Sequence, residues 1–227
     1  MVFNSYQYFQ LAALILALIF WRGLKHCRLL LFIPLLIVIN AVETIANNYV
    51  QFGWKQNHFI YNIYLLTGTP MWLFLYLQML GLEGKAKKLF TGIIFLVTCI
   101  ILLNYFFLQG AMHFNTYSLV FTMILNIVFS TFVLFRLAME EEFMGSINRH
   151  PFFWISASHL LLSMAILVLL GLQQYILTNN LRISNKSLYY ALLPGINIIF
   201  YIGLGFSFFL CHRQLRLLSS SSPSSSS

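Results

Sequence analysis

LFTGIIFLVTCIILLNYFFL, residues 89–108, decides the class of fold. Twenty residues pass without a charge, and Asn104 is their single amide side chain. A helix of that length rises about 30 Å, the thickness of a bilayer's hydrocarbon core. Strands of membrane barrels are shorter and alternate polar with apolar residues, which this run does not. Over such a length in lipid only a helix satisfies its own backbone.

Six further apolar runs flank this one, at 6–21, 29–50, 60–82, 117–139, 153–177 and 188–211, with short polar breaks between them. Composition agrees: 60% hydrophobic, 8% charged, over 227 residues, with a mean hydropathy of +0.82. The expected fold is all-α, a polytopic membrane protein of seven transmembrane helices occupying residues 1–218. The remainder, 219–227, is serine broken by Pro223. It has no apolar content to bury and is expected to be disordered. No kinase, cyclase or DNA-binding output is expected after the seventh span. The first span lacks the basic leader and small-residue cleavage site of a signal peptide, so it is read as a retained helix.

Basic residues set the expected orientation. Arg22, Lys25, Arg28, Lys85, Lys87, Lys88, Arg136, Arg149, Arg213 and Arg216 fall on one side; only Lys55, Arg182 and Lys186 fall on the other. The richer side belongs in the cytoplasm, giving N-out and C-in. The net charge of +8 is then accounted for by topology and attraction to anionic headgroups. The expected partners are membrane lipids, with no nucleic acid. Trp21, Trp54 and Trp154 fall near interfaces, whereas Trp72 lies inside the third span and reads as packing.

No cofactor chemistry is legible. Cys27, Cys99 and Cys211 avoid the predicted outer loops, so no disulfide is expected, and metal-binding spacings such as C-x-x-C or H-E-x-x-H are absent. Asn185-Lys186-Ser187 matches a glycosylation sequon, which matters only in a eukaryote. The last span holds no lysine for a retinal Schiff base, and the D-R-Y and N-P-x-x-Y signatures of G-protein-coupled receptors are missing. Intramembrane aspartyl catalysis requires Asp, of which there is none, and Gly203-Leu204-Gly205-Phe206-Ser207 has the wrong order for a serine nucleophile elbow.

The polar residues inside the spans carry what functional signal there is. Glu43 is the one acid within a span; Asn40 and Asn47 share its helical face. A carboxyl group in hydrocarbon is costly and should face the bundle with a partner. Tyr61, Asn62 and Tyr64 open the third span at a similar depth; Asn104 lies late in the fourth; His113, Asn115, Thr116 and Tyr117 lead into the fifth; Tyr189 and Tyr190 open the seventh. The expected ligand-binding cluster is Glu43, Asn47, Tyr61, Asn62, His113 and Tyr117, facing outward. The structural alternative is a hydrogen-bonded Glu43 that fixes helix packing, with tyrosine belts and Asn or Thr caps around it.

The inner half reads differently. His159 sits with Ser156 and Ser163 at helical spacing, a pattern that fits a packing hydrogen bond better than a ligand. Ser158 points about 100° away from it and makes no dyad. Asn126 and Asn197 lie nearer mid-membrane. Pro70 and Pro194 interrupt the third and seventh spans, where a freed carbonyl either lines a cavity or accompanies a kink. The longest inner loop runs from Glu140-Glu141-Glu142 to Pro151 and reads as a solvated helix end or a docking point for a partner. A transporter of 3+1+3 plan would put the two prolines in corresponding helices, although the two halves are otherwise dissimilar.

His113-Phe114-Asn115-Thr116-Tyr117 opening one helix, Pro151-Phe152-Phe153-Trp154-Ile155-Ser156 opening the next, and Tyr61-Asn62-Ile63-Tyr64 opening the third resemble a group of uncharacterised seven-helix membrane proteins of Bacteroidetes-type bacteria. The likeness covers the chain except its serine tail. Related membrane modules precede histidine kinases, so the resemblance implies sensing in a bacterial inner membrane, with a separate signalling protein at the cytoplasmic face. The leading expectation is a non-enzymatic sensory or partner-binding module. The alternatives are a small-solute transporter and, behind it, a lipid-modifying membrane enzyme.

Overall fold

The computed structural model describes residues 4–51, 57–110, 113–139, 147–179, 181–183 and 186–221. Trp54, Lys55, the Glu140–Glu142 loop, Asn185 of the sequon and the end of the serine tail lie outside these residues.

Among the described residues seven long helices carry the fold: α1 (Ser5–Ile19), α3 (Phe32–Gln51), α4 (His58–Met79), α5 (Gly84–Leu103), α6 (Thr116–Met139), α7 (Pro151–Gly171) and α9 (Leu188–Ser221). Two short helices, α2 (Trp21–His26) and α8 (Gln173–Thr178), follow α1 and α7, and a two-residue antiparallel pairing of β1 (Arg182–Ile183) with β2 (Lys186–Ser187) precedes α9. Five of the long helices, α3, α5 with the π-helical turn Asn104–Leu108 that continues it, α6, α7 and α9, are long and apolar enough to cross a membrane. The chain is an all-α integral membrane protein. Of the other two long helices, α1 is apolar but only 15 residues long. α4 has 22 residues yet carries Asn62, Thr67, Gly68, Thr69, Pro70 and Gln78.

The reason α4 tolerates those residues is its position. α1, α3, α4, α6, α7 and α9 pack each on the next and close into a ring, with α9 returning to α1. α4 turns Trp72 and Tyr76 into the centre of that ring. Trp72 meets Phe32 of α3 edge-on at 5.4 Å, Phe32 meets Phe208 of α9 at 5.3 Å, and Trp72 lies 6.0 Å from Phe200 of α9. Side chains enclosed by protein rather than lipid have polar partners within reach, so hydropathy alone underrates α4. α5 stands outside the ring on α4, and lipid-facing side chains such as Phe95 (73% exposed) follow from that.

Local chemistry explains the helix ends. Gln7 Oε1 accepts from the Asn4 backbone N–H at 2.7 Å and closes the start of α1. Pro151 opens α7, its missing N–H costing nothing at that position, and His150 Nδ1 accepts from Phe152 N. The α4–α5 turn uses Gly81 and Gly84, both at φ +56°, and the guanidinium of Arg136 from α6 lies against Gly81 while donating to the carbonyl of Leu80. α4 runs through Pro70 and α9 through Pro194, so neither proline ends its helix. Close approach in the ring rests on small residues. A Cβ at Gly23 of α2 would sit 2.6 Å from His212 N of α9, and one at Gly203 of α9 would sit 2.7 Å from Ser158 Cβ of α7.

Candidate functional site

Three polar clusters are built along α4. The first is at the rim where α1 begins. Glu43, late in α3, accepts with Oε2 from the Tyr6 hydroxyl of α1 at 2.9 Å and from the Tyr61 hydroxyl of α4 at 3.4 Å. The ring of Tyr64 lies along its own helix over Gly68, where an added Cβ would stand 2.6 Å from it. Asn47 lies one turn beyond Glu43 on α3, and its Nδ2 is buried without a protein partner. Asn40 bonds back to the Leu36 carbonyl at 2.8 Å and leaves the cluster.

The second cluster clamps the entry to α6. Successive helical residues point about 100° apart, so Tyr61 and Asn62 serve different neighbours. Asn62, 1% exposed, donates through Nδ2 to the His113 carbonyl at 2.7 Å and accepts at Oδ1 from Asn115 N at 3.0 Å. Asn104, opening the π-helical turn, donates to Gln109 Oε1 and to Ser118 Oγ, and Gln109 Oε1 also accepts from Tyr117 N. His113 contributes its backbone here while its side chain is exposed. Tyr117 is 69% exposed and its ring stays out of the cluster. Asn115 is fully buried with both side-chain amide atoms unpartnered.

The third cluster lies in the middle of the ring. The Tyr76 hydroxyl stands 2.7 Å from Ser130 Oγ of α6 and 2.7 Å from His159 Nδ1 of α7, with the Asn126 carbonyl a weaker acceptor at 3.4 Å. Trp72 covers the imidazole with ring centroids 3.8 Å apart, and Phe200 closes it from α9 at 5.5 Å. Ser156 and Ser163, which share the His159 face, are buried with unpartnered hydroxyls. Ser158 Oγ is spent on the Trp154 carbonyl at 2.6 Å.

Of the six residues expected to form a ligand site, Glu43 and Tyr61 are in direct contact, Asn62 and His113 meet through the latter's backbone, Asn47 lies beside Glu43 on the same helix, and Tyr117 faces away. Sequence reasoning missed Tyr6 and Tyr76. Tyr6 had a usable signal, since it opens the first span at the depth of Glu43. Tyr76 had one too, lying four residues after Trp72 on one face. Among the described residues no three His, Cys, Asp or Glu side chains converge to hold a metal ion. Chemically, the Glu43 cluster offers a carboxyl group, two phenols and a free amide donor, a set suited to hydrogen-bonding a small polar molecule or a neighbouring chain's polar group. No family model, curated protein or solved structure matches the chain.

Proposed function

We propose that the chain is a non-enzymatic sensory or partner-binding module of a bacterial inner membrane, crossing it seven times with its N-terminus outside and its C-terminus in the cytoplasm. One observation carries this reading: Glu43 gathers hydroxyls from two other helices at the N-terminal rim, beside an Asn47 amide nitrogen that has no protein partner. A carboxyl group so held is polar binding capacity concentrated where three helices meet, and a ligand or partner residue engaging it would bias how α1, α3 and α4 pack. α1 and α4 count as spans here because each lies in the closed ring between helices that are themselves long and apolar enough to cross. The resemblance to modules that precede histidine kinases agrees, with a separate signalling protein docking on the basic rim.

The transporter is the second reading, and α5 speaks for it: that helix stands apart from the ring and divides α1, α3 and α4 from α6, α7 and α9 as a 3+1+3 linker would. Against it stands the filled centre. Transporters of that plan bind substrate near the midplane between the halves, and here Trp72, Tyr76, His159 and Phe200 occupy that position.

The test is a thermal-shift series on protein in nanodiscs, wild type and Glu43→Gln, against amino acids, amines and sugars. Saturable stabilisation of the wild type, weakened in the variant, is the expected result, since any ligand of the native state raises stability by mass action. Flux of the same solutes into proteoliposomes would replace the module with the transporter.

A further inference from the structure

At the basic rim the segment joining α2 to α3, the last turns of α4 and the first turn of α5 enclose a crevice of about 630 Å³. That is the volume of a small-molecule site. Its lining has two parts. Leu31, Phe74 and Leu77 make an apolar wall, and Phe74 is 41% exposed, so the wall continues into the lipid-facing surface. At the lip stand Arg28, Lys87 and Glu83. Neither cation is held in an ion pair with a described residue. Arg28 sits at φ 59°, the one positive φ among described non-glycine residues, a backbone conformation that side-chain-bearing residues seldom adopt. Gln78, also in the lining, has its Oε1 buried without a hydrogen-bond donor.

The geometry points to a binding site for the phosphodiester headgroup of an anionic phospholipid, with one acyl chain laid along Leu31, Phe74 and Leu77. Two cations against one carboxylate leave a single positive charge, which matches a monoanionic phosphodiester. Glu83 and the Gln78 carbonyl are acceptors, and the hydroxyls of a phosphatidylglycerol headgroup are donors. Basic pockets between membrane helices on the cytoplasmic side are the usual form of such sites. This one lies at the rim opposite Glu43 and is independent of that cluster.

The experiment is native mass spectrometry of the full chain from nanodiscs of phosphatidylcholine, with and without phosphatidylglycerol. Wild type is expected to retain phosphatidylglycerol in preference to phosphatidylcholine. Arg28→Gln and Lys87→Gln are each expected to lower that retention about fivefold, the contribution of one cation near a charged surface. Lys85→Gln, on the same rim but outside the lining, should leave it unchanged. Equal retention of the two lipids by wild type, which needs no variant to fold, would overturn the proposal. So would an equal loss with Lys85→Gln, which marks diffuse rim attraction. Displacement by millimolar inorganic phosphate would also overturn it, in favour of a soluble anion.

Discussion

Tyr76 and His159, 83 positions apart, are joined by a 2.7 Å hydrogen bond between the Tyr hydroxyl and Nδ1. The bond ties α4 to α7 across the ring, and Ser130 on the same hydroxyl brings in α6. Three helices thereby share one oxygen in a buried interior, where leaving a polar group unpaired is costly.

Tyr76→Phe keeps the ring and removes that oxygen. It is expected to cost about 1–3 kcal/mol, because His159 and Ser130 are then left buried without their partner. A double-mutant cycle with Ser130→Ala, read by denaturant unfolding in detergent, should give a coupling of about 0.6–1.7 kcal/mol, the range for hydrogen bonds between membrane helices. Additive losses would mean that the two hydroxyls act separately.

Glu43 separates binding from packing. Glu43→Gln keeps an acceptor for Tyr6 and Tyr61 and should melt within about 1 kcal/mol of wild type, while Glu43→Leu takes away the acceptor for both hydroxyls and should lose about 1–3 kcal/mol. If Gln retains full ligand response while Leu loses stability, the cluster is a packing device and the binding reading fails.

Gly23 lets α2 lie directly on the backbone of α9. Gly23→Leu cannot fit a side chain where a Cβ already stands 2.6 Å from His212 N, so α2 should lift away. Cys27, half-buried one residue after α2 and donating weakly to Gln214 Oε1 at 3.7 Å, would report this as faster maleimide labelling than in wild type. Unchanged labelling would show that α2 stays docked by other contacts.

The orientation makes a fourth expectation. Fusions after residue 218 should be active with a cytoplasmic reporter and silent with one that requires export, because ten of thirteen basic residues share that side. The opposite pattern would invert the proposal and move the phospholipid crevice to the other leaflet.

The seven apolar runs were legible because hydrocarbon imposes one length and one polarity on whatever crosses it. Six of the seven expected spans overlap helices to within six residues at each end. α9 continues instead to Ser221, since Arg213, Gln214, Arg216, Leu217 and Leu218, which follow the apolar run, are all good helix formers. α8 was read as the end of the sixth span and α2 as the polar break after the first; short turns in the chain, at Phe20 and Leu172, leave no mark on hydropathy. Glu43 drew notice as a lone acid. Its pairing with Tyr6 did not, and neither did His159 with Tyr76, because spacing along one helix says which residues share a face and nothing about which helix that face will meet.

The closure of the ring by α1 on α9 has a consequence for biogenesis. The partners of Glu43 lie on the first and third long helices, so the costly carboxyl group is satisfied while the second half of the chain is still being made. The contact of α1 with α9, by contrast, waits for α9, which is made after every other helix of the ring. The N-terminal half is therefore expected to assemble its polar cluster while the seam is still open, and the arrival of α9 to close the ring around its aromatic centre.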